Sequence, residues 1–308
     1  MNGDGTSGGA VRGSTVSDDG LSGFPLAWAR ELVEVALRED LGPEGLDVTT
    51  LATIPGDQVR TAEVVARSGG VVAGVPVIPL VLEAVAARIG ADVPSVEVVA
   101  DDGSRLQRGD VIARLQGRTQ VILVAERTVL NIMSRLSGVA THTRRWADAL
   151  EGTTTMVLDT RKTTPGMRWL EKYAVRCGGG TNKRLGLYDV AMIKDNHKLA
   201  AGSVAAAYAL VRERFPDVTV QVEVTTPAEA QEAYDAGARF IMCDNMSVDV
   251  LAETVGLLRA ASEPVEIEAT GGLTLEVVAD YAATGVDFVS VGGLTHSSPI
   301  VDIALDLV

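Results

Sequence analysis

Residues 218–245 read VTVQVEVTTPAEAQEAYDAGARFIMCDN, and this stretch decides the fold. The run from Val218 to Val224 is rich in apolar, β-branched residues, which is typical of a buried strand. Helical spacing follows from Pro227 to Ala236, and a second apolar run follows at Phe240-Ile241-Met242. This order of strand, helix and strand indicates two parallel strands joined by a crossover helix.

The same unit recurs from Gly152 onward. Repeated units of this kind imply a parallel sheet covered by helices on both faces, either doubly wound or closed as a barrel. Six strands are predicted, fewer than the eight of a complete barrel. They are Met156-Val157-Leu158, Val190 to Ile193, Val218 to Val224, Phe240-Ile241-Met242, Val265-Glu266-Ile267 and Phe288 to Val291.

Nearly every predicted strand ends in a charged side chain or a glycine. An open sheet concentrates its ligand at one switch point, whereas a barrel takes functional groups from many strand ends. We therefore predict a barrel. The strand ends are Asp159 with Arg161 and Lys162, Lys194 with Asp195, Glu223, Asp244 with Asn245, Glu268 with Gly271-Gly272, and Ser290 with Gly292-Gly293.

The first half of the chain has a different pattern. Helical spacing predicts a helix from Pro25 to Asp40, and short β-branched runs predict a compact α+β domain from Val59 to about Leu123. A long helix is predicted from Leu123 to Leu150, broken near Gly138. Met1 to Ser22 is rich in Gly, Ser, Thr and Asp, which predicts a disordered tail.

The net charge of −14 limits the classes of partner. Nucleic acid and anionic membranes need a positive protein surface, so neither is expected as a partner. No apolar run is long enough to span a bilayer and no signal-peptide pattern opens the chain, so a cytoplasmic location is expected. Basic residues are nevertheless concentrated between Arg161 and Lys198, which favours a small anionic ligand.

Cysteine and histidine provide no predicted metal site. Cys177 and Cys243 lack metal-binding spacing and are predicted to be buried, reduced thiols. His142 is predicted to be a surface or supporting residue, and His197 and His296, beside strand ends, are predicted to have supporting polar roles.

The strand ends form three chemical groups around the C-terminal end of the predicted barrel, which we call its mouth. Arg161, Lys162 and Lys194, with Lys183 and Arg184 from the loop between them, suit a polyanionic planar acid, because arginine binds carboxylates in a bidentate manner. The next strand ends are carboxylates, which suit Mg²⁺ beside a phosphate-bearing ligand. The last are glycine-rich, and such loops present backbone N–H groups to phosphate.

Several motifs together resemble the quinolinate phosphoribosyltransferase family. They are DTRKTTPGMR from Asp159, VRCGGGTNKRLGLYDVAMIKDNH from Val175, VEVTTPAEA from Val222, IMCDNMS from Ile241, EATGGL from Glu268 and SVGGLTHSSP from Ser290. ALREDLGPEGLDVTT and AERTVLNIMSRLSGVAT extend the resemblance toward the N-terminus. Two motifs depart from the usual pattern: Lys183 stands where the family usually has histidine, and Ala269-Thr270 where it usually has Ser-Ser.

The resemblance implies transfer of the phosphoribosyl group of phosphoribosyl pyrophosphate to quinolinate, giving nicotinate mononucleotide, pyrophosphate and carbon dioxide in de novo NAD biosynthesis. It implies a tail over residues 1–23, an N-terminal α/β sandwich domain over 24–137 and an incomplete six-stranded parallel α/β barrel over 138–296. Residues 297–308 are expected to pack on the N-terminal domain. A homodimer, or a hexamer built from dimers, is expected to share active sites.

The resemblance also implies roles for particular residues. Cations are expected to bind quinolinate, namely Arg127 from a neighbouring chain and Arg161, Lys162, Lys183, Arg184 and Lys194. Glu223 and Asp244 are expected to face the ribose and to bind Mg²⁺, directly or through water. The phosphate is expected to lie against Thr270, Gly271, Gly272, Gly292 and Gly293.

Two other functions could use the same elements. A Schiff-base aldolase on a barrel of this type would use Lys162 or Lys194 as its amine. A related barrel could instead bind a phosphorylated ligand without turnover. Loss of Glu223 or Asp244 would be expected in such a binding protein, and both residues are present.

Overall fold

The computed structural model describes residues 23–308, so the predicted tail over residues 1–23 lies outside the described residues except for Gly23. A four-stranded antiparallel sheet, a six-stranded parallel sheet and a small two-stranded sheet organise this part of the chain. The elements before the parallel sheet are α1 (Leu26–Leu41), α2 (Val48–Thr53), β1 (Val59–Ala66), β2 (Gly70–Val71), α3 (Val77–Ile89), β3 (Ser95–Val98), β4 (Arg105–Leu106), β5 (Val111–Arg118) and α4 (Thr119–Ala149). The elements that follow are β6 (Met156–Leu158), α5 (Arg168–Cys177), β7 (Val190–Ile193), α6 (Asp195–Ala201), α7 (Val204–Arg214), β8 (Thr219–Val224), α8 (Pro227–Asp235), β9 (Phe240–Asp244), α9 (Val248–Arg259), β10 (Glu266–Thr270), α10 (Val278–Ala283), β11 (Phe288–Ser290), α11 (Gly293–His296) and β12 (Ile303–Leu307).

The N-terminal unit combines the antiparallel sheet with helices α1 to α4. Its strand order is β12-β1-β5-β3. Helix α1 buries Ala29, Val33 and Leu37, which are spaced by four and therefore form one apolar stripe. The helix ends at Leu41, and the next residue, Gly42, has a φ of 65°, in the region that glycine adopts readily.

Helix α4 is continuous over 31 residues, so the predicted break near Gly138 is wrong. Gly138 is buried inside the helix, and a Cβ built there would overlap the carbonyl oxygen of Pro299. The glycine therefore lets the C-terminal segment approach the helix backbone rather than interrupting the helix.

The parallel sheet confirms the predicted incomplete barrel. Its six strands follow the order β6-β11-β10-β9-β8-β7, and every pair in this series is parallel. Strands β6 and β7 are the two edges and do not pair with each other in the described chain, although an isolated bridge joins Leu158 to Thr181. Because all the strands run in one direction, their C-terminal ends meet at one mouth.

Helix α5 occupies part of the segment that we predicted to be a loop between the first two barrel strands. It buries Leu170 and Ala174 on one side, and it also buries the charged Glu171 and Lys172. The dense basic sequence concealed the helical spacing, because charged residues rarely face a protein interior unless they are paired.

The chain ends by returning to the N-terminal sheet. Strand β12 pairs antiparallel with β1, with Val64 opposite Leu305. The C-terminal segment thus connects the barrel mouth, through α11, to the N-terminal unit. Among residues 23–308, no helix has the length and hydrophobicity needed to cross a bilayer.

Candidate active site

A cavity of about 1080 Å³ opens at the C-terminal ends of the barrel strands. It brings together every predicted site residue except Arg127. These residues are Arg161, Lys162, Lys183, Arg184, Lys194, Glu223, Asp244, Thr270, Gly271, Gly272, Gly292 and Gly293.

Three of the cavity cations have no carboxylate partner. Arg161, Lys162 and Arg184 form no ion pair with any of residues 23–308, and the buried Nε of Arg161 has no hydrogen-bond partner. Burial, the charge of Arg161 and that of Arg168 lower the pKa of Arg184, while Asp189 opposes them. Asp189 compensates this positive charge only in part, and the excess favours binding of an anion.

The other two cavity cations are paired. Lys194 Nζ lies 2.5 Å from Glu223 Oε2, with 46% of the lysine side chain exposed. Lys183 Nζ lies 2.6 Å from Glu268 Oε1 and 3.3 Å from Met242 Sδ, below the mouth. Burial lowers the pKa of Lys183, and the charge of Glu268 opposes this shift. The positive charge of Lys183 is thus neutralised by a buried carboxylate, that of Glu268.

Glu268 does not face the cavity, although its position at a strand end grouped it with Glu223 and Asp244 in the sequence. It is completely buried and accepts a second hydrogen bond, of 2.6 Å, from Gln221 Nε2. Glu268 therefore neutralises a lysine inside the barrel.

Asp159 organises the loop that carries the cations. It is fully buried after β6 and accepts hydrogen bonds from Lys172 Nζ, from Asn182 Nδ2 at 2.7 Å and from the backbone N–H of Lys183 at 2.8 Å. These three contacts fix the segment that leads to Arg184. Asp159 is consequently a support for the site and not a part of its lining.

Neighbouring side chains leave little room for a Cβ at the glycine-rich strand ends. Gly271 has a φ of 87°, and a Cβ there would be 2.6 Å from Asn245 Cγ. Asn245, with a φ of 52°, donates its backbone N–H to Thr270 O at 2.9 Å. A Cβ on Gly292 would be 2.9 Å from Lys162 Cδ. Side chains at these positions would fill the space in which a phosphate can approach the backbone.

Glu223 and Asp244 are the carboxylates of the predicted metal site, and both line the cavity. Within residues 23–308 there is no group of three or more His, Cys, Asp or Glu residues that could hold a metal ion. Mg²⁺ usually takes one or two carboxylates and completes its coordination with water and substrate phosphates. Two carboxylates beside the predicted phosphate-binding loops fit that donor set.

Sequence reasoning missed His142 and Trp146 as cavity residues, and His296, expected as support, also lines the cavity. His142 and Trp146 lie on α4, four residues apart on one helix face. Their spacing was a visible signal, but only the tertiary structure shows that α4 crosses this mouth.

Arg127 lies outside the cavity of its own chain. Its side chain is 62% exposed on α4, and its nearest carboxylate is the adjacent Glu126, at 3.8 Å. A pair of this length at the surface contributes little to stability. The guanidinium is therefore available for a contact outside the chain.

Comparison with known proteins gives one consistent family. Residues 139–306 match the C-terminal domain and residues 47–137 the N-terminal domain of quinolinate phosphoribosyl transferase. The chain is 46% identical over 279 residues to the nicotinate-nucleotide pyrophosphorylase (carboxylating) of Mycobacterium leprae, covering 91% of this chain and 97% of that protein. It is 41% identical to a probable nicotinate-nucleotide pyrophosphorylase of Bacillus subtilis, covering 90% of this chain and 93% of that protein.

A solved structure shares the architecture. The nicotinate-nucleotide pyrophosphorylase from Francisella tularensis superimposes with a TM-score of 0.86 and 32% identity, covering 95% of this chain and all of that one. The likeness therefore spans both the antiparallel unit and the barrel.

Proposed function

Because the chain belongs to the quinolinate phosphoribosyltransferase family, we propose that it transfers the phosphoribosyl group of phosphoribosyl pyrophosphate to quinolinate with loss of carbon dioxide. The products are nicotinate mononucleotide, pyrophosphate and carbon dioxide, in de novo NAD biosynthesis. One observation carries the assignment to this cavity: Arg161, Lys162 and Arg184 converge there without carboxylate partners.

The unpaired cations suit the two adjacent carboxylates of quinolinate. Arg161 and Arg184 can each present a planar fork to a carboxylate, and Lys162 adds a point charge toward Gly292. Lys194 also lines the cavity and can exchange its contact with Glu223 for one with the substrate. Lys183 would act from below, because Glu268 already holds its ammonium group.

Thr270, Gly271, Gly272, Gly292 and Gly293 would cradle the 5′-phosphate of the second substrate. Backbone N–H groups and the Thr270 hydroxyl can donate to phosphate oxygens. The threonine keeps the hydroxyl of the serine that is usual in the family, so this departure leaves the donor set intact.

In the first chemical step, the ring nitrogen of quinolinate forms a bond with the anomeric carbon of the ribose while the bond to pyrophosphate breaks. Positive charge builds on the sugar, and Glu223 and Asp244 stabilise it from the cavity wall. Mg²⁺, held by these carboxylates directly or through water, would supply positive charge to the leaving pyrophosphate.

In the second step, the bond between the ring and the carboxylate beside the nitrogen breaks. Its electron pair remains on the ring carbon next to the positively charged nitrogen, and a solvent proton then replaces the lost group. No group has to remove a proton from carbon, which agrees with a cavity that is rich in cations.

We also propose that the enzyme is cytoplasmic and acts as a homodimer, alone or within a hexamer, with Arg127 entering the mouth of the neighbouring subunit. The exposure of Arg127 and its position outside its own cavity support this arrangement. In a two-fold dimer the contact is reciprocal, so each subunit would complete the other's site.

The decisive assay is incubation with quinolinate, phosphoribosyl pyrophosphate and Mg²⁺, followed by measurement of nicotinate mononucleotide and carbon dioxide. Equal amounts of both are expected. Formation of neither, over a range of metals and pH, would contradict the proposed function. Trapping with borohydride and a carbonyl substrate separates the Schiff-base alternative, because the transferase should remain unmodified.

A further inference from the structure

His142 lies on α4 at the cavity edge and is not among the groups used by the reaction described above. Its ring is half-buried and packs beside Gly293, where a Cβ would be 3.8 Å from His142 Cε1. The surrounding polar contacts determine what this ring can do.

Both ring nitrogens of His142 are occupied. Trp146 Nε1 donates to His142 Nε2 at 3.3 Å. An indole nitrogen can only donate, so Nε2 must be the acceptor and the ring proton must lie on Nδ1. His142 Nδ1–H then donates to Ser298 Oγ at 2.9 Å, and Ser298 Oγ donates to Leu294 O at 2.5 Å. No nitrogen remains for a substrate.

The chain of hydrogen bonds ends at the phosphate turn. Leu294 belongs to α11, which directly follows Gly292 in the chain. The same face of α4 contacts the segment that follows Gly292 at a second place. There Arg135 donates to Ser298 O at 3.2 Å and to Thr295 O. Arg135 is additionally bound to Glu171 at 2.7 Å, so its position is set independently of His142.

We propose that His142 is a positioning residue, which transmits the orientation of Trp146 on α4 through Ser298 to the turn of Gly292 and Gly293, and thereby sets the affinity of the site for the phosphate of its phosphorylated substrate. The proposal rests on the proposed function for the identity of that substrate. It concerns the phosphate end of the cavity, where Lys162, beside Gly292, is the nearest of the quinolinate cations.

The protonation state of the ring suits this role. Burial lowers the pKa of His142, as do the charges of Arg145 and His296, while the backbone of Gly293 opposes them. Lys162, across Gly292, is the further cation near this turn. The neutral ring is therefore present at neutral pH, and its contribution is lost only as the pH falls through the lowered folded-state pKa. Protonation would place a second N–H against Trp146 Nε1–H.

The test uses His142→Phe, which keeps a planar ring but removes both nitrogens, and Ser298→Ala, which breaks the same chain without touching the ring. Ribose 5-phosphate binding is measured by calorimetry, and KM is measured for each substrate. We expect Kd for ribose 5-phosphate and KM for phosphoribosyl pyrophosphate to rise about tenfold in both variants. KM for quinolinate should stay within about twofold, since neither variant replaces a quinolinate cation and only Lys162 among them lies beside the turn.

Two further variants sharpen the result. His142→Asn keeps an N–H near the position of Nδ1 and should bind ribose 5-phosphate more tightly than His142→Phe. The double variant His142→Phe/Ser298→Ala should be no weaker than either single variant, because both break one chain. If His142→Phe fails to fold, Ser298→Ala alone still decides the question.

A spectroscopic measurement checks the Trp146 contact directly. The chain has three tryptophans, and Trp28→Phe/Trp169→Phe leaves Trp146 as the single emitter. A protonated imidazole quenches a neighbouring indole, so its fluorescence should fall on acidification with a midpoint below the ordinary histidine pKa of 6.5. The transition should disappear after His142→Phe.

Unchanged ribose 5-phosphate binding in both single variants, an equal rise in KM for quinolinate, or additive losses in the double variant would each overturn the proposal. Absence of ribose 5-phosphate binding by the unmodified protein would also overturn it. If the unmodified protein binds ribose 5-phosphate but forms no nicotinate mononucleotide, the proposed function fails while the positioning role is still tested by binding.

Discussion

Lys183 stands where the family usually has histidine, and its ammonium group is buried against Glu268. Removing one partner of a buried ion pair leaves an uncompensated charge, which costs about 3–5 kcal/mol. We therefore predict that Lys183→Met lowers the free energy of unfolding by about this amount and that Lys183→Met/Glu268→Gln recovers most of the loss. Lys183→His should stay folded and active, because an imidazole can also donate to Glu268. Denaturant unfolding and activity assays check both outcomes.

If Lys183→Met were as stable as the unmodified protein, Lys183 and Glu268 would not depend on each other as the 2.6 Å contact indicates. A severe loss of activity in a stable Lys183→His enzyme would give Lys183 a direct role at the substrate that histidine cannot fill.

Arg184 has no ion-pair partner in the described chain and donates one hydrogen bond, to Val190 O at 3.2 Å, so its contribution should be mainly to binding. We predict that Arg184→Ala remains folded, with an unfolding temperature close to that of the unmodified protein. Its kcat/KM for quinolinate should fall by at least about 30-fold, as follows from losing a buried charge-assisted contact. Steady-state kinetics and thermal unfolding provide the two measurements.

Arg108→Ala is the matched control, because Arg108 is exposed and lies in the N-terminal unit. It should leave both quantities unchanged. An Arg184→Ala enzyme with normal quinolinate kinetics would remove Arg184 from the substrate site.

Helices α4 and α9 each contain a glycine, and the two glycines should respond oppositely to alanine. Gly138→Ala would place a methyl group against the Pro299 carbonyl, whereas a Cβ on the exposed Gly256 has no neighbour within 4 Å. Alanine is better than glycine in a helix interior by about 1 kcal/mol. We predict that Gly256→Ala raises the unfolding free energy by up to about 1 kcal/mol and that Gly138→Ala lowers it by about 1–3 kcal/mol. Equal effects would contradict the close approach at Gly138.

At the level of helices and strands, the sequence correctly predicted features that depend on the local pattern of apolar residues. The strand ends at Arg161, Glu223 and Asp244 were identified because each follows a buried apolar run, and all three line the cavity. Gly138 was misread as a break because helix propensity is local, whereas its reason, the approach of Pro299, is long-range. The roles of His142 and Glu268 likewise depend on which elements the fold brings together.

Helix α5 was also missed because its burial depends on contacts between residues that are distant in sequence. Its buried Lys172 makes the sequence resemble a solvated basic loop, whereas the contacts of Lys172 Nζ with Asp159 and with the backbone carbonyl of Lys183 make that burial possible. The pairing of Lys172 with Asp159 is not visible in the spacing of either residue.

At the scale of the whole molecule, Arg127 could complete either the active site of its own chain or that of the partner chain, and a mixed dimer distinguishes the two arrangements. Suppose that one chain carries Arg127→Ala and the other Lys162→Ala, each inactive as a homodimer. If Arg127 enters the partner's mouth, one mouth of the mixed dimer is intact and the other carries both defects. We predict that doubly tagged mixed dimers recover roughly half of normal activity, as this symmetry requires.

If Arg127 instead served its own chain, each mouth of the mixed dimer would keep one defect. An inactive mixed dimer, with both parent variants folded, would therefore remove Arg127 from a shared site.

A comparison of quinolinate with nicotinate tests most directly whether the unpaired cations bind two carboxylates. Nicotinate has only one carboxylate, so part of the charge of Arg161, Lys162 and Arg184 would remain without a partner, at a cost of about 2–5 kcal/mol. We predict that kcat/KM for quinolinate exceeds that for nicotinate by at least about 30-fold, the ratio that corresponds to the lower end of this range. Equal kcat/KM values for the two acids would contradict a dicarboxylate site built from these cations.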